Sequence, residues 1–237
     1  MTPLAAEPLV RWDWIAEHAS DIGSRVAEHV ELTLLAVAIG CAIAFPLAVL
    51  AHRRRWTYAP ITWIAGTLYT IPSLSLFVIL VPLTGLTAAT VEIGLVSYTL
   101  LILIRNTVAG LASVPDDALD SARGMGFSSR QLLWRVEVPL ALPVMMAGVR
   151  IATVSTIGLV TVGALIGRGG VGQFILEGLQ IFFQAEILLG TVLSFAFALA
   201  ADGLLLVAER ALTPWARART TRVRPFEPPR RAGLPAT

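Results

Sequence analysis

Five apolar runs of bilayer-spanning length leave this chain few ways to fold. A transmembrane helix needs about 20 mostly apolar residues, and residues 32–51, 61–83, 91–111, 144–166 and 187–208 all meet that length with few charges. Hydrocarbon supplies no partner for backbone N–H and C=O groups, so each run must close its hydrogen bonds internally as a helix. The expected fold class is therefore an all-α membrane protein of five spans, or six if a further short segment crosses. Composition agrees: of 237 residues, 56% are hydrophobic and 14% charged, and the mean hydropathy is +0.75. Soluble domains carry about a quarter charged residues. Spans and loops use nearly the whole length, which leaves no room for a separate catalytic domain. Pro46 and Pro72 fall inside runs and should kink their helices. Lipid tolerates that only where neighbours satisfy the freed carbonyls, so helices packed around a pathway are expected rather than isolated anchors.

Direction follows from arginine, the only strongly basic residue type present, since the chain has no lysine. Arg53, Arg54 and Arg55 follow the first run. Arg123, Arg130 and Arg135 lie between the third and fourth, and Arg210, Arg217, Arg219, Arg222, Arg224, Arg230 and Arg231 follow the fifth. The other side holds only Arg11, Arg25 and Arg168. Positive charge stays on the cytoplasmic side, so the N-terminus is expected outside and the C-terminus inside. An odd number of spans satisfies both. The basic sequence pI of 9.2 thus reads as topology rather than as nucleic-acid binding. Trp12, Trp14, Trp56, Trp63, Trp134 and Trp215 fall near run ends or in flanking loops, as interfacial aromatics do.

Residues 1–29 are polar and acidic and lack the short apolar core of a cleavable signal peptide. They are expected to form an extracytoplasmic segment ahead of a retained first anchor. Residues 173–186 include the apolar stretch 174–183, about half a span, expected to be re-entrant or interfacial. A full crossing there would put the basic tail outside. From Thr213 the Arg/Pro-rich tail is expected to be cytoplasmic and disordered.

Between the third and fourth runs, residues 112–143 form a polar island with its own folding signals. Pro115 begins a helical turn, and Asp116 and Asp117 complement its N-terminus. Ala118, Ala122 and Met125 recur at helical spacing as a face of small residues that a partner groove can approach closely. Gly124 and Gly126 permit a stop or a left-handed turn. Ser128 and Gln131 form a capping box opening a second short helix with Leu132, Leu133 and Val136, which Pro139 is expected to end. Pro143 then delimits a compact element able to transmit a push to the fourth span.

At these residues the chain resembles the transmembrane permease subunit of binding-protein-dependent bacterial ATP-binding-cassette importers. That family's cytoplasmic loop runs Glu-Ala-Ala, three residues, Gly, nine residues, then Ile-x-Leu-Pro. Here Asp120-Ser121-Ala122, Gly126 and Val136-Glu137-Val138-Pro139 occupy the same register. Across residues 25–212 the likeness includes Leu68-Tyr69-Thr70-Ile71-Pro72-Ser73-Leu74, Leu103-Ile104-Arg105-Asn106-Thr107 and Ala164-Leu165-Ile166-Gly167-Arg168-Gly169-Gly170-Val171-Gly172. These runs are similar to osmoprotectant permeases for glycine betaine, carnitine or choline. The resemblance implies a methionine-type permease fold in the plasma (inner) membrane. It implies coupling to an ATPase through Asp120, Ser121, Ala122, Gly126, Val136 and Pro139. Its partners would be a cytoplasmic ATPase subunit, an extracytoplasmic substrate-binding protein and a second permease subunit, identical or similar. Another small solute, such as methionine, is the nearest rival cargo. An ion-coupled carrier working alone is a rival of a different class, and it requires buried ionisable groups.

Other residues have narrower readings. The run Gly167–Gly172 lacks the Gly-Lys-Ser/Thr ending of a phosphate loop and reads as an outer loop or a close helix contact. Asp202, alone in the fifth span about two turns from Glu209 and Arg210, is expected to make a structural hydrogen bond. Arg150 reads as a membrane-boundary residue, and Arg105 as one snorkelling to the interface. Tyr69, Pro72 and Asn106 are candidate pathway residues, and Tyr69, Tyr98 and Trp63 could offer π faces to a quaternary ammonium. Cys41 reads as packing. His18, His29 and His52 have no metal-ligand spacing. No catalytic residue, nucleotide motif or cofactor is expected within this chain.

Overall fold

A computed structural model describes residues 10–215, and among these the backbone is helical, without strands. The ends of the expected N-terminal segment and tail, residues 1–9 and 216–237, lie outside the described residues. The helices are α1 (Trp12–Glu17), α2 (Ala19–Arg53), α3 (Arg55–Thr70), α4 (Ser73–Thr84), α5 (Ala88–Ala112), α6 (Asp116–Gly124), α7 (Ser129–Leu132), α8 (Val138–Val162), α9 (Gly172–Ile181) and α10 (Gln184–Leu212). A π-helical turn at Leu133–Glu137 joins α7 to α8, and a 3₁₀ turn at Gly163–Ile166 follows α8.

Four stretches, Ala19–Arg53, Ala88–Ala112, Ser129–Ile166 and Gln184–Leu212, are long and apolar enough to cross a membrane. The expected second span is not one kinked helix but a corner, with α3 and α4 meeting at 95°. The cause is local. Proline disfavours the helical region for the residue before it, and Ile71 is extended at φ −66°, ψ 129°. The side chain of Tyr98 satisfies the freed carbonyl, donating its hydroxyl hydrogen to Ile71 O. The pair still traverses the bundle. Thr57, at the start of α3, donates to Arg54 O at the end of α2, whereas Val81 of α4 packs with Leu32, Val91 and Ile166 at the opposite end. Pro46, by contrast, sits inside an unbroken α2.

Inside hydrocarbon the hydrophobic effect does not drive helices together, so close van der Waals packing must. Helix α2 supplies it with Ala36, Gly40, Ala44 and Ala48, four residues apart and all buried. A Cβ on Gly40 would lie 2.1 Å from Thr99 Oγ1 on α5, and one on Gly148 of α8 would lie 2.4 Å from Asn106 Cβ. Helices α2, α5 and α8 thereby pack against one another as the centre of the bundle. Three core clusters stack along it: Leu32, Phe77, Leu95 and Val160 at one end, Ala44, Ala48, Ile104 and Ala152 in the middle, and Leu111, Val114 and Ala141 at the arginine-bearing end.

Two boundaries differ from expectation. Helix α2 begins at Ala19, so the polar stretch before the first apolar run is helical. Helix α8 begins at Val138 rather than at 144, and Pro139 opens it instead of ending α7. A proline in a first helical turn loses no needed donor, and the wider π turn ahead of it carries the chain in without a break. Helix α9, ten residues, spans about 15 Å, half of a hydrocarbon core of about 30 Å. It folds back on α10, where Gly178 lies against Ile187 and Gly190 against Ile175. The glycine run before it is a close contact. Gly170, at φ +51°, has no space for a Cβ beside the His29 backbone, and Gly172 has none beside Thr161. His29 is buried there.

Candidate functional site

The polar island folds as its signals dictate. Asp116 and Asp117 occupy the first turn of α6 and Arg123 its last. The chain then turns at Gly126, whose φ of +80° is the left-handed region. Gly126 N–H donates to Arg123 O at 2.9 Å and Phe127 N–H to Ala122 O at 3.1 Å. This double closure is the Schellman arrangement that favours glycine at its left-handed position. Ser128 and Gln131 make the reciprocal capping box: Ser128 N–H donates to Gln131 Oε1 at 2.8 Å, and Gln131 N–H to Ser128 Oγ at 3.4 Å.

The face that α6 offers differs from the expected one. Ala122 is 1% exposed and turned toward the body of the protein, while Met125 is 69% exposed. The Ala118–Ala122–Met125 stripe is therefore divided, because Leu119 and Leu133 of the same unit pack beside Leu111, Val114 and Ala141. Asp120, Ser121, Gly124, Met125 and Gly126 form the outward surface, with Val136 and Pro139 half-buried behind it.

An unforeseen ion pair anchors the unit. Glu137, with 2% of its side chain exposed, accepts a hydrogen bond from Arg53 Nη2 at 2.7 Å. The pair ties the end of α2 to the turn that enters α8. Trp134, on the same turn, packs on Phe45 of α2 with ring centroids 5.4 Å apart. Sequence reasoning used Arg53 for topology and Glu137 only as a position between two motif residues. The available signal was a lone acid beside the apolar start of a span.

A second ion pair crosses from α8 to α10. Arg150 donates to both carboxylate oxygens of Asp202, each at 2.9 Å, and its Nη1 lies 3.7 Å from Glu209 Oε2. Asp202 is thus not solitary, and Arg150 is not a simple boundary residue. A bidentate guanidinium–carboxylate pair is the arrangement lipid tolerates for charge.

At the α3–α4 corner a cavity of about 410 Å³ opens toward the middles of α5 and α8, lined by Tyr69, Thr70, Pro72, Ser73, Tyr98 and Ser155 among others. Of the candidate pathway residues, Tyr69 and Pro72 line it. Asn106 lies apart, donating to Ile102 O at 2.8 Å and packing on Gly148. Trp63 and Arg105 share a shallower depression on the outer side of Tyr69.

Known proteins resemble this chain over most of its length. The family described as "Binding-protein-dependent transport system inner membrane component" matches residues 36–213. The choline transport system permease protein OpuBB of Bacillus subtilis (strain 168) is 36% identical over 187 residues, 79% of this chain and 86% of that protein. The osmoprotectant import permease protein OsmW of Salmonella typhimurium is 34% identical over 206 residues, 85% of this chain and 96% of that protein. Among solved structures, an inward-facing conformation of the MetNI methionine ABC transporter superposes with a TM-score of 0.72 at 21% identity, covering 81% of this chain and 96% of that one. At that identity the likeness speaks for the fold.

Proposed function

Since the chain belongs to the family of binding-protein-dependent transport system inner membrane components, we propose that it is the permease subunit of an ATP-driven importer for a small osmoprotectant: glycine betaine, carnitine or choline. The cargo rests on the functions of its relatives, such as the choline permease OpuBB and the osmoprotectant permease OsmW. In this reading the chain has no ATPase site of its own. A cytoplasmic ATPase subunit hydrolyses ATP, a substrate-binding protein delivers solute from outside, and a second permease subunit completes the pathway. The arginine distribution supports an orientation with the N-terminus outside and the C-terminus, with the loop, in the cytoplasm.

The observation that carries the mechanism is how the loop unit is joined to the bundle. Its outward surface (Asp120, Ser121, Gly126) is free for the ATPase, and its far end is fixed twice. The turn Leu133–Glu137 runs without a break into α8, and Glu137 is held by Arg53 at the end of α2. When two ATPase subunits close on ATP, displacement of the α6–α7 unit is delivered to α2 and α8 together. These are two of the three central helices, so the halves of the pathway tilt as bodies and access alternates. Asp120, Ser121, Ala122, Gly126, Val136 and Pro139 are the coupling residues, with Ala122 acting from beneath as a packing contact.

The test is ATP-driven uptake of glycine betaine, carnitine and choline in proteoliposomes holding the permease, its ATPase and its binding protein. Gly126→Trp should insert normally yet separate ATP hydrolysis from uptake. Wild-type uptake by that variant at matched membrane levels rules out the docking role. Orientation has its own check: in cells carrying Cys41→Ser and Ser128→Cys, an impermeant thiol reagent applied from outside should leave residue 128 unlabelled.

A further inference from the structure

The cavity at the α3–α4 corner has the chemistry of a binding site. Its lining residues include neither acid, arginine nor histidine, so a charged ligand there must be matched by dipoles and π faces. Two rings stand at its edge: Tyr69 and Tyr98 have centroids 5.8 Å apart and meet at 65°. A quaternary ammonium carries no N–H, asks for no hydrogen-bond acceptor, and is held by aromatic faces and carbonyl oxygens.

The corner adds polarity of both signs. The last carbonyls of a helix and the first N–H groups of the next lack intrahelical partners. They carry opposite partial charges. Here α3 ends at Thr70 and α4 starts at Ser73, with 95° between them, so both ends converge on one space. The hydroxyls of Thr70, Tyr98, Thr99 and Thr156 are spent on the carbonyls of Thr67, Ile71, Val96 and Ala152. Those of Tyr69, Ser73 and Ser155, on the same lining, are left for a ligand. The volume of about 410 Å³ lies within the usual range for small-molecule sites.

We propose that this corner is a transit site, within the permease itself, for a zwitterionic quaternary-ammonium solute. The alkylammonium head lies against Tyr69 and the carbonyl end of α3, and the carboxylate lies at the Ser73 end of α4. The proposal rests on the osmoprotectant reading above and deepens it, adding a specificity element to the membrane subunit beside whatever the binding protein selects. A site built from neutral dipoles holds its ligand weakly, as a pathway that must release its cargo requires.

The experiment measures glycine betaine moved per ATP hydrolysed in proteoliposomes of the complete complex, at saturating binding protein. Tyr69→Leu removes the ring and should lower that ratio on the order of tenfold, the equivalent of one strong cation–π contact. Tyr69→Phe keeps the ring and should retain most of it. Ser155→Ile fills the cavity from the α8 wall and should reduce the ratio even if Tyr69→Leu assembles poorly. An unchanged ratio in Ser155→Ile, or equal loss in Tyr69→Phe and Tyr69→Leu, overturns the site while leaving the function standing. If the wild-type complex moves no quaternary-ammonium solute at all, the osmoprotectant reading itself is overturned, and the site with it.

Discussion

Replacing Arg53 with Met should loosen the α6–α7 unit from the bundle while leaving the central helices packed. The side chain of Glu137 is 2% exposed and that of Arg53 is 35% exposed. Removing one partner of a fully buried pair costs about 3–5 kcal/mol, because the other charge is stranded. Solvent reaches the Arg53 end, where screening trims the loss, so a local cost of about 2 kcal/mol is expected. Such a change multiplies the population of the locally opened state roughly 30-fold. Amide hydrogen exchange followed by mass spectrometry reads this directly. Peptides covering residues 133–140 should exchange faster by about that factor, while those from the middle of α5 should not change. A double-mutant cycle with Glu137→Leu should return a coupling of at least about 1 kcal/mol, since neighbours in one ion pair do not add. Wild-type exchange in Arg53→Met, or strictly additive effects in the cycle, would show that the pair does not hold the loop.

Three further outcomes follow from the same geometry. Arg150→Met strands Asp202 and Glu209 on α10 and should lower stability in detergent by about 2 kcal/mol, read as thermal unfolding; adding Asp202→Asn should recover part of it. Gly126→Ala forces a Cβ into a left-handed turn at φ +80°, costing about 1 kcal/mol, and should speed tryptic cleavage at Arg123 and Arg130. Gly40→Val meets Thr99 and Leu103 at once and should abolish a monodisperse detergent-solubilised protein, whereas Gly23→Ala, with nothing within 4 Å of the added carbon, should leave it intact.

Much of the architecture was legible along the chain. Run length against bilayer thickness located four of the five expected crossings, because a span must satisfy its own backbone; the run at 61–83 became the bent pair α3–α4. The Ser128–Gln131 box and the turn at Gly126 were equally legible, since both depend on dihedral preferences and hydrogen bonds within a few residues. Boundaries were less so. Helix α2 extends beyond its apolar run because polar residues can continue a helix outside lipid, and Pro139 opens α8 because a proline's effect depends on where in a helix it falls. Pro46 and Pro72 looked alike as interruptions. They diverged at the residue before the proline: Ile71 is extended and ends α3, its carbonyl taken by the hydroxyl of Tyr98, 27 residues away, whereas α2 runs on through Pro46.

By itself, then, the sequence determined four of the crossings, the direction expected of them and the local turns of the loop between α5 and α8. Only the tertiary structure decided which charges meet, and where polar groups gather inside the bundle. Arg53 reaches Glu137 across 84 residues, and Arg150 reaches Asp202 across 52. The physical reason is a difference of range. Hydropathy and backbone stereochemistry act over one helix or one turn and are written locally. The partner of a charge inside a membrane protein depends on how closely small residues such as Gly40 and Gly148 let separate helices approach.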